Sequence, residues 1–242
     1  MSYIMDKTIK KVKSAVRDFQ LIDNTQGIMV GLSGGKDSIT LLYLMHQFKK
    51  VSKYKYPLAA GHVGMGWDTD IAPLEKICRE LDVPFYYEPT NIGPVVFEVR
   101  HEKNPCSLCA KMRRGALNNL AKNKGFPKVA LAHHMDDAVE TVLLKMFYEG
   151  RMDSFSPKTY LDQKDITVIR PLVYVPEQDI SRLCRLLQLP VIENPCPANG
   201  YTKRQDMKEI IKLIEKTNPL AKERVITALK NLDQAKAWKS IE

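Results

Sequence analysis

The hexapeptide Ser33-Gly34-Gly35-Lys36-Asp37-Ser38 stands between an apolar run, Gly27 to Leu32, and a helix-periodic one, Ile39 to Phe48. Two glycines let a backbone turn sharply and aim its N–H groups at an anion. The start of the following helix adds a partial positive charge, Lys36 adds a full one, and the Ser33 and Ser38 hydroxyls can donate hydrogen bonds. Asp37 would repel a bare phosphate, so a divalent cation between them is the natural way to keep both. The spacing is not that of a Walker loop. A Gly-Gly turn capped by Ser and Asp is the bland alternative; the strand–turn–helix context favours a phosphate loop.

The five cysteines form a second group. Their odd number, behind a polar and Lys-rich stretch from Met1 to Lys13 that is no secretory signal, argues against a disulfide framework. Cys106 and Cys109 make a C-x-x-C at the head of a basic helix, and Lys111, Arg113 and Arg114 would favour thiolate over thiol there. Cys196 lies far along the chain, in Asn194-Pro195-Cys196-Pro197. Spacing alone leaves three uses open. These are an iron–sulfur cluster with one iron free of protein, a zinc ion with His101 as substitute fourth ligand, and a redox dithiol. Cys78 and Cys184 fall on the apolar faces of helical segments and read as core thiols.

A third group is His133-His134-Met135-Asp136-Asp137, just past a strand's carboxyl end, where ligands bind in open α/β sheets. The two aspartates also suit a helix start.

These groups need elements to hold them. Ile9, Val12, Val16 and Phe19 repeat at helical spacing within residues 6–19. Strands are expected at 27–32, 58–63, 84–87, 128–132 and 166–169, and helices at 39–48, 71–81, 106–123, 136–147 and 177–187. An extended segment follows at 190–196, and helices at 203–216 and 219–237 close the chain. Strands alternating with helices predict an α/β fold, a doubly wound parallel sheet. The expected division is an N-terminal helical segment (1–24), a nucleotide domain (25–195) and a C-terminal helical appendage (196–242). No run approaches the roughly 20 apolar residues of a membrane span. Lys and Arg number 37 against 28 Asp and Glu, a net charge of +9 that suits a polyanionic partner or mere solubility.

Ser33 to Ser38 resembles the SGGxDS mark of the PP-loop ATP pyrophosphatases, the adenine nucleotide alpha hydrolase-like fold. Cys106 to Leu117, Val129 to Thr141, Arg170 to Val175 and Pro190 to Cys196 extend the likeness. In order along the chain, they resemble the tRNA 2-thiocytidine synthetase group, the iron–sulfur branch of tRNA thiolation enzymes. The resemblance implies that Ser33, Gly34, Gly35, Lys36, Asp37 and Ser38 hold the pyrophosphate of ATP. It implies that His62 and Val63 meet adenine through their backbone and that Ala132 adds a backbone contact. Asp137 would lie near the nucleotide and Mg2+, and Lys36, Asp37 and Asp137 would be the catalytic residues. Cys106, Cys109 and Cys196 fall on the positions that hold a [4Fe-4S] cluster in that family. Arg113, Arg114, Lys203, Arg204 and Lys208 are candidates for tRNA phosphate contacts.

The activity so implied is cytoplasmic, ATP-dependent sulfur transfer to a tRNA base, most simply an anticodon-loop cytidine, through an adenylated intermediate. The sulfur would come from a cysteine desulfurase persulfide or from sulfide. A homodimer is compatible with the resemblance, without an interface signature in the sequence. Of four departures from the family pattern, the first two cost little and the last two bear on the acceptor more than on the chemistry. Ala132 replaces a Gly, Cys196 lacks a second nearby cysteine, and Val63 to Trp67 and Asn199 to Thr202 differ from the family pattern. Other readings are the same chemistry on another tRNA base or a small molecule, a ligase of the lysidine type that needs no cluster, and a non-catalytic metal or redox protein that binds RNA. Pyrophosphate release separates the last from the rest, and iron content separates the ligase.

Overall fold

The computed structural model describes residues 3–100, 105–192, 196 and 203–232. Helix α1 (Tyr3–Asp18) precedes β1 (Ile28–Gly31), α2 (Lys36–Val51), β2 (Leu58–Val63), α3 (Ala72–Glu80) and β3 (Phe85–Glu88). A short turn of helix, α4 (Ile92–Pro94), continues into a π-helical turn, Val95–Val99. Then come α5 (Pro105–Asn123), β4 (Lys128–Ala130), α6 (Met135–Glu149), β5 (Lys158–Leu161), β6 (Ile166–Ile169), α7 (Glu177–Leu186), α8 (Lys203–Thr217) and α9 (Ala221–Lys230).

The sheet has the order β3-β2-β1-β4-β6-β5, parallel except where β5 pairs antiparallel with β6 at one edge. Sequence patterning missed β5. Its alternation of exposed and half-buried residues, with Tyr160 pointing to solvent, carries too little apolar signal for a strand. It missed the π-helical turn as well, within a Pro- and Gly-bearing stretch.

Strand order runs outward from β1 to β2 and β3, then returns across β1 to β4. Crossovers are right-handed, so a reversal of direction places α5 on the face opposite α2. Side-chain alternation agrees. Met29 packs with Leu117, Leu120 and Ala121 of α5 and with Val129, Ile166 and Val168. The reversal between β1 and β4 makes a topological switch point, and a crevice opens beyond the carboxyl ends of these two strands.

The chain clusters into two compact units. One comprises Met1–His134 with Pro157–Asn199, the other Met135–Ser156 with Gly200–Glu242. In the first, α1 and α7 pack on α2 and on each other. In the second, Val139 and Leu143 of α6 pack on Met207 and Ile211 of α8, with Val225 and Ile226 of α9 against them. Among the described residues, no helix is long and apolar enough to cross a membrane.

Lys128, only 3% exposed at the start of β4, is a buried cation in the first unit. Its ammonium meets Asp23 Oδ2 at 2.5 Å. Desolvation pulls the Asp23 carboxyl upward, but Lys128 and the N–H groups of Thr25 and Gln26 outweigh it and hold the pKa at about 2. This value lies below the roughly 3.9 of an unfolded aspartate. The pair therefore stabilises fully above about pH 4, and the stabilisation is lost as pH falls toward 2. With half of the Asp23 side chain in solvent, Asp23→Asn should cost about 1 kcal/mol at pH 6. Urea denaturation at stepped pH checks this: the gap between the two proteins should close below pH 4.

Candidate active site

The loop after β1 is built around one hydroxyl. Ser38 Oγ accepts from the Ser33 N–H (3.1 Å) and the Ser33 hydroxyl (3.0 Å), and donates to the Gly35 carbonyl (2.9 Å). Leu32 N–H donates to the Gly61 carbonyl of β2 at 2.8 Å, which pins the loop's entry to the sheet. Gly34 takes φ +88°, in the left-handed region that glycine alone enters cheaply. Helix α2 then starts from an extended Gly35 with no side chain capping it, so the positive end of the helix meets the crevice.

A second segment closes over this turn. Ile192 N–H donates to the Gly34 carbonyl at 3.0 Å, and its side chain lies so near that a Cβ on Gly34 would fall 2.2 Å from Ile192 Cγ1. Ile192 thus rests on the loop.

Lys36 Nζ reaches Asp37 Oδ1 (2.9 Å) and Glu177 Oε1 (2.8 Å). Burial alone would lower the lysine pKa; the two carboxylates outweigh it and hold Lys36 above the ordinary lysine value, so it stays charged. His134 Nε2 stands 4.0 Å from the same Asp37 oxygen, Oδ1.

At the end of β2, His62 is buried, and its Nδ1 lies 2.7 Å from the Leu32 carbonyl oxygen, which assigns the ring proton to Nδ1. Its ring stacks on Tyr87 with centroids 5.9 Å apart. Burial lowers its pKa; the Leu32 carbonyl opposes the shift and Arg113 adds to it, so the ring is neutral at pH 7. Val63 is buried beside it, and Ala132 is half-buried past β4.

Arg113 links this edge to the cysteines, because it acts on Cys109 as well as on His62. Cys106 is exposed, and Cys109 and Cys196 are half-buried. Cys106 and Cys109, three apart in the first turns of α5, share a helix face. Cys109 responds electrostatically to both Cys106 and Cys196. The expected lowering of thiol pKa does not hold for Cys109. Burial raises it, Arg113 opposes, and the two other sulfurs push it further up. Among the described residues, no three His, Cys, Asp or Glu side chains stand at metal-binding separation. In chemistry the donor set fits a cluster that needs three thiolates better than a structural zinc, which takes four ligands. His101, the expected substitute ligand, lies outside the described residues, as do Asn194, Pro195 and Pro197.

Arg114 donates from Nε to the Ala110 carbonyl of its own helix at 3.2 Å and lies near Arg170, at the carboxyl end of β6. Arg170 is 7% exposed, and burial, with Arg114 beside it, lowers its pKa to about 10. Arg170 and Glu177 are site-edge residues that residue typing did not single out; their signal was the run from Arg170 to Val175 and the acidic first turn after it.

In the second unit, Asp136 and Asp137 occupy the first turn of α6. Asp136 meets Lys222 at 2.7 Å, and Asp137 meets Arg204 at 3.4 Å. Glu140, 2% exposed, takes Arg204 (3.3 Å) and Lys208 (3.8 Å). Lys203 lies over the Tyr148 ring, 4.3 Å from its centroid. The three basic residues of α8 expected at RNA are all engaged within their own unit.

A phosphate loop at the switch point of a doubly wound sheet defines a class, and the comparisons agree. The model of the PP-loop domain matches residues 4–213, and the chain belongs to the PP-loop family. Within that family it stands with the tRNA sulfurtransferase enzymes. The tRNA-cytidine(32) 2-sulfurtransferase of Citrifermentans bemidjiense is 36% identical over 240 residues, 96% of this chain and 94% of the relative. That of Geotalea uraniireducens is 37% identical over 240 residues, 96% and 95% of the two chains. A solved structure, the U34-tRNA thiolase NcsA from Methanococcus maripaludis with its [4Fe-4S] cluster, superposes with a TM-score of 0.77 at 25% identity. The match covers 98% of this chain and 82% of that one.

The Gly34 contact yields a direct test. Gly34→Ala should destabilise the protein by about 1–3 kcal/mol through the left-handed backbone, with the Ile192 clash added. Pairing it with Ile192→Ala should recover the steric part and leave the backbone part, as read by a double-mutant cycle of denaturant midpoints.

Proposed function

We propose that this protein is a tRNA 2-thiolation enzyme that transfers sulfur to C2 of an anticodon-loop cytidine, using ATP and a [4Fe-4S] cluster and releasing AMP and pyrophosphate. The observation that carries the reading is a convergence. Ile192 lies on Gly34 of the loop, and Arg113 acts electrostatically on both Cys109 and His62, which supports a common neighbourhood for loop and cysteines. Near-full-length identity to tRNA-cytidine(32) 2-sulfurtransferases supports the acceptor.

Oxygen on C2 of a pyrimidine leaves poorly, so it is first activated. The cytidine O2 attacks the α-phosphorus of ATP, the bond to the bridging β-phosphate oxygen breaks, and pyrophosphate departs. Ser33 to Ser38 cradle the leaving pyrophosphate by backbone N–H groups and hydroxyls, and Lys36 offsets its charge. Asp37 would hold Mg2+ on the phosphates, which lowers the repulsion between its carboxylate and the polyphosphate. The Val63 and Ala132 backbone would frame the adenine, with His62 keeping its ring neutral on Tyr87. Sulfur then attacks C2 and AMP leaves with the original oxygen.

Cys106, Cys109 and Cys196 would hold the cluster, which supplies a sulfur-binding iron free of protein ligands when bound. Sulfide would be the direct donor; a cysteine desulfurase persulfide would supply it once a thiol reductant cleaves the S–S bond, releasing sulfide and forming a disulfide. Arg113 and Arg114, beside the buried Arg170, would meet RNA phosphates near the acceptor base. Lys203, Arg204 and Lys208 would have to exchange their present partners for RNA.

Two measurements test this. Nucleosides from the tRNA of a deletion strain should lack 2-thiocytidine and regain it on complementation; intact 2-thiocytidine with a missing thiouridine would move the acceptor to another base. Anaerobically prepared Cys196→Ala should lose most of the iron and sulfide that the parent protein carries, while its circular dichroism stays that of the parent. Equal iron in both would remove Cys196 from the ligand set.

A further inference from the structure

Lys36 does not meet the crevice as an unpaired charge. Besides its chain neighbour Asp37, its ammonium holds Glu177, 141 positions along the chain, at 2.8 Å. Glu177 is the first residue of α7, whose position is set from two sides. The helix packs on α2, and Asp179 in the same turn takes Lys7 (3.4 Å) and Lys11 (3.1 Å) of α1. Residues two apart on a helix point about 200° apart. One turn of α7 thus offers Asp179 to α1 and Glu177 to the phosphate loop.

The Lys36 ammonium thus lies between two carboxylates, those of Asp37 and Glu177. An incoming polyphosphate finds its lysine already engaged. We propose that Glu177 is a positioning residue for the nucleotide phosphates: it holds Lys36 at the loop in the nucleotide-free protein and yields the ammonium to the phosphates as they arrive. The proposal rests on the reading of Ser33 to Ser38 as the ATP site. The exchange swaps one charge-assisted hydrogen bond for another and moves no proton. Its two effects oppose each other. The Glu177 charge competes with ATP for Lys36, which weakens ground-state binding. It also keeps the ammonium aimed at the loop, which serves the transition state.

Glu177→Gln tests this in the full-length, anaerobically prepared protein, since it keeps the volume and an acceptor oxygen and removes only the charge. The expected result is a split: the Kd for Mg-ATP falls roughly two- to fivefold, while kcat for pyrophosphate release declines. Asp179→Asn, in the same turn but facing α1, should lower thermal stability and leave the Mg-ATP Kd where it was. A Glu177→Gln protein of native circular dichroism that binds Mg-ATP as the parent does, or more weakly, overturns the proposal and reduces Glu177 to a packing contact. Should Glu177→Gln not fold, Glu177→Asp, whose carboxylate falls one methylene short of Lys36, is read with the same sign. A parent protein that binds no ATP overturns the reading of the loop and this proposal with it. Binding by the parent that Glu177→Gln does not alter overturns this proposal alone.

Discussion

Helix α5 lies against β1 and β2 as closely as it does because two adjacent strand positions, paired in register, have no side chains. Cβ atoms on Gly31 and Gly61 would fall 2.7 and 3.1 Å from the methyl carbons of Leu117. That seating fixes the height of the whole helix over the sheet. From position 117 back to 109 is about 12 Å of helix, which carries the C-x-x-C toward the carboxyl ends of the strands. Arg113, midway, acts electrostatically on His62. The same strand ends carry the loop after β1 and His133 and His134 after β4, so a packing contact between one leucine and two glycines sets the height of the C-x-x-C relative to them.

Charge is distributed by burial more than by composition. The surplus of nine positive charges is real in the sequence, yet several of its members are committed to partners. Lys128 serves Asp23, Lys36 serves Asp37 and Glu177, and the basic residues of α8 and α9 serve the acidic turns of α6. Buried Arg170 also feels the like charge of the exposed Arg114, and burial with that charge pushes it down to about 10. A guanidinium stays protonated at neutral pH even so, and two of them together make a place where an anion is stabilised.

Much of this was legible without coordinates, for local reasons. Glycines, a lysine and two serines between an apolar run and a helical one can only be a turn at a helix start, and the structure finds it at β1 and α2. Cys78 and Cys184 follow the apolar periodicity of their helices and are buried. What was missed has no local pattern. β5 is a half-exposed edge strand held only by its antiparallel pairing with β6. The thiol of Cys109 was read from the helix N-terminus and its basic neighbours, whereas its surroundings include desolvation and two other sulfurs that the chain brings from elsewhere.

The amino-acid order by itself determined the loop between β1 and α2, the alternation of strands and helices and the two core thiols, because each follows from residue type and short-range spacing. Tertiary structure alone decided that Lys36 is shared with Glu177, that Ile192 covers Gly34 and that Arg113 acts on His62. These are contacts between positions far apart in the chain. They depend on where strand order, helix seating and burial place each side chain, and no periodicity along the sequence encodes that.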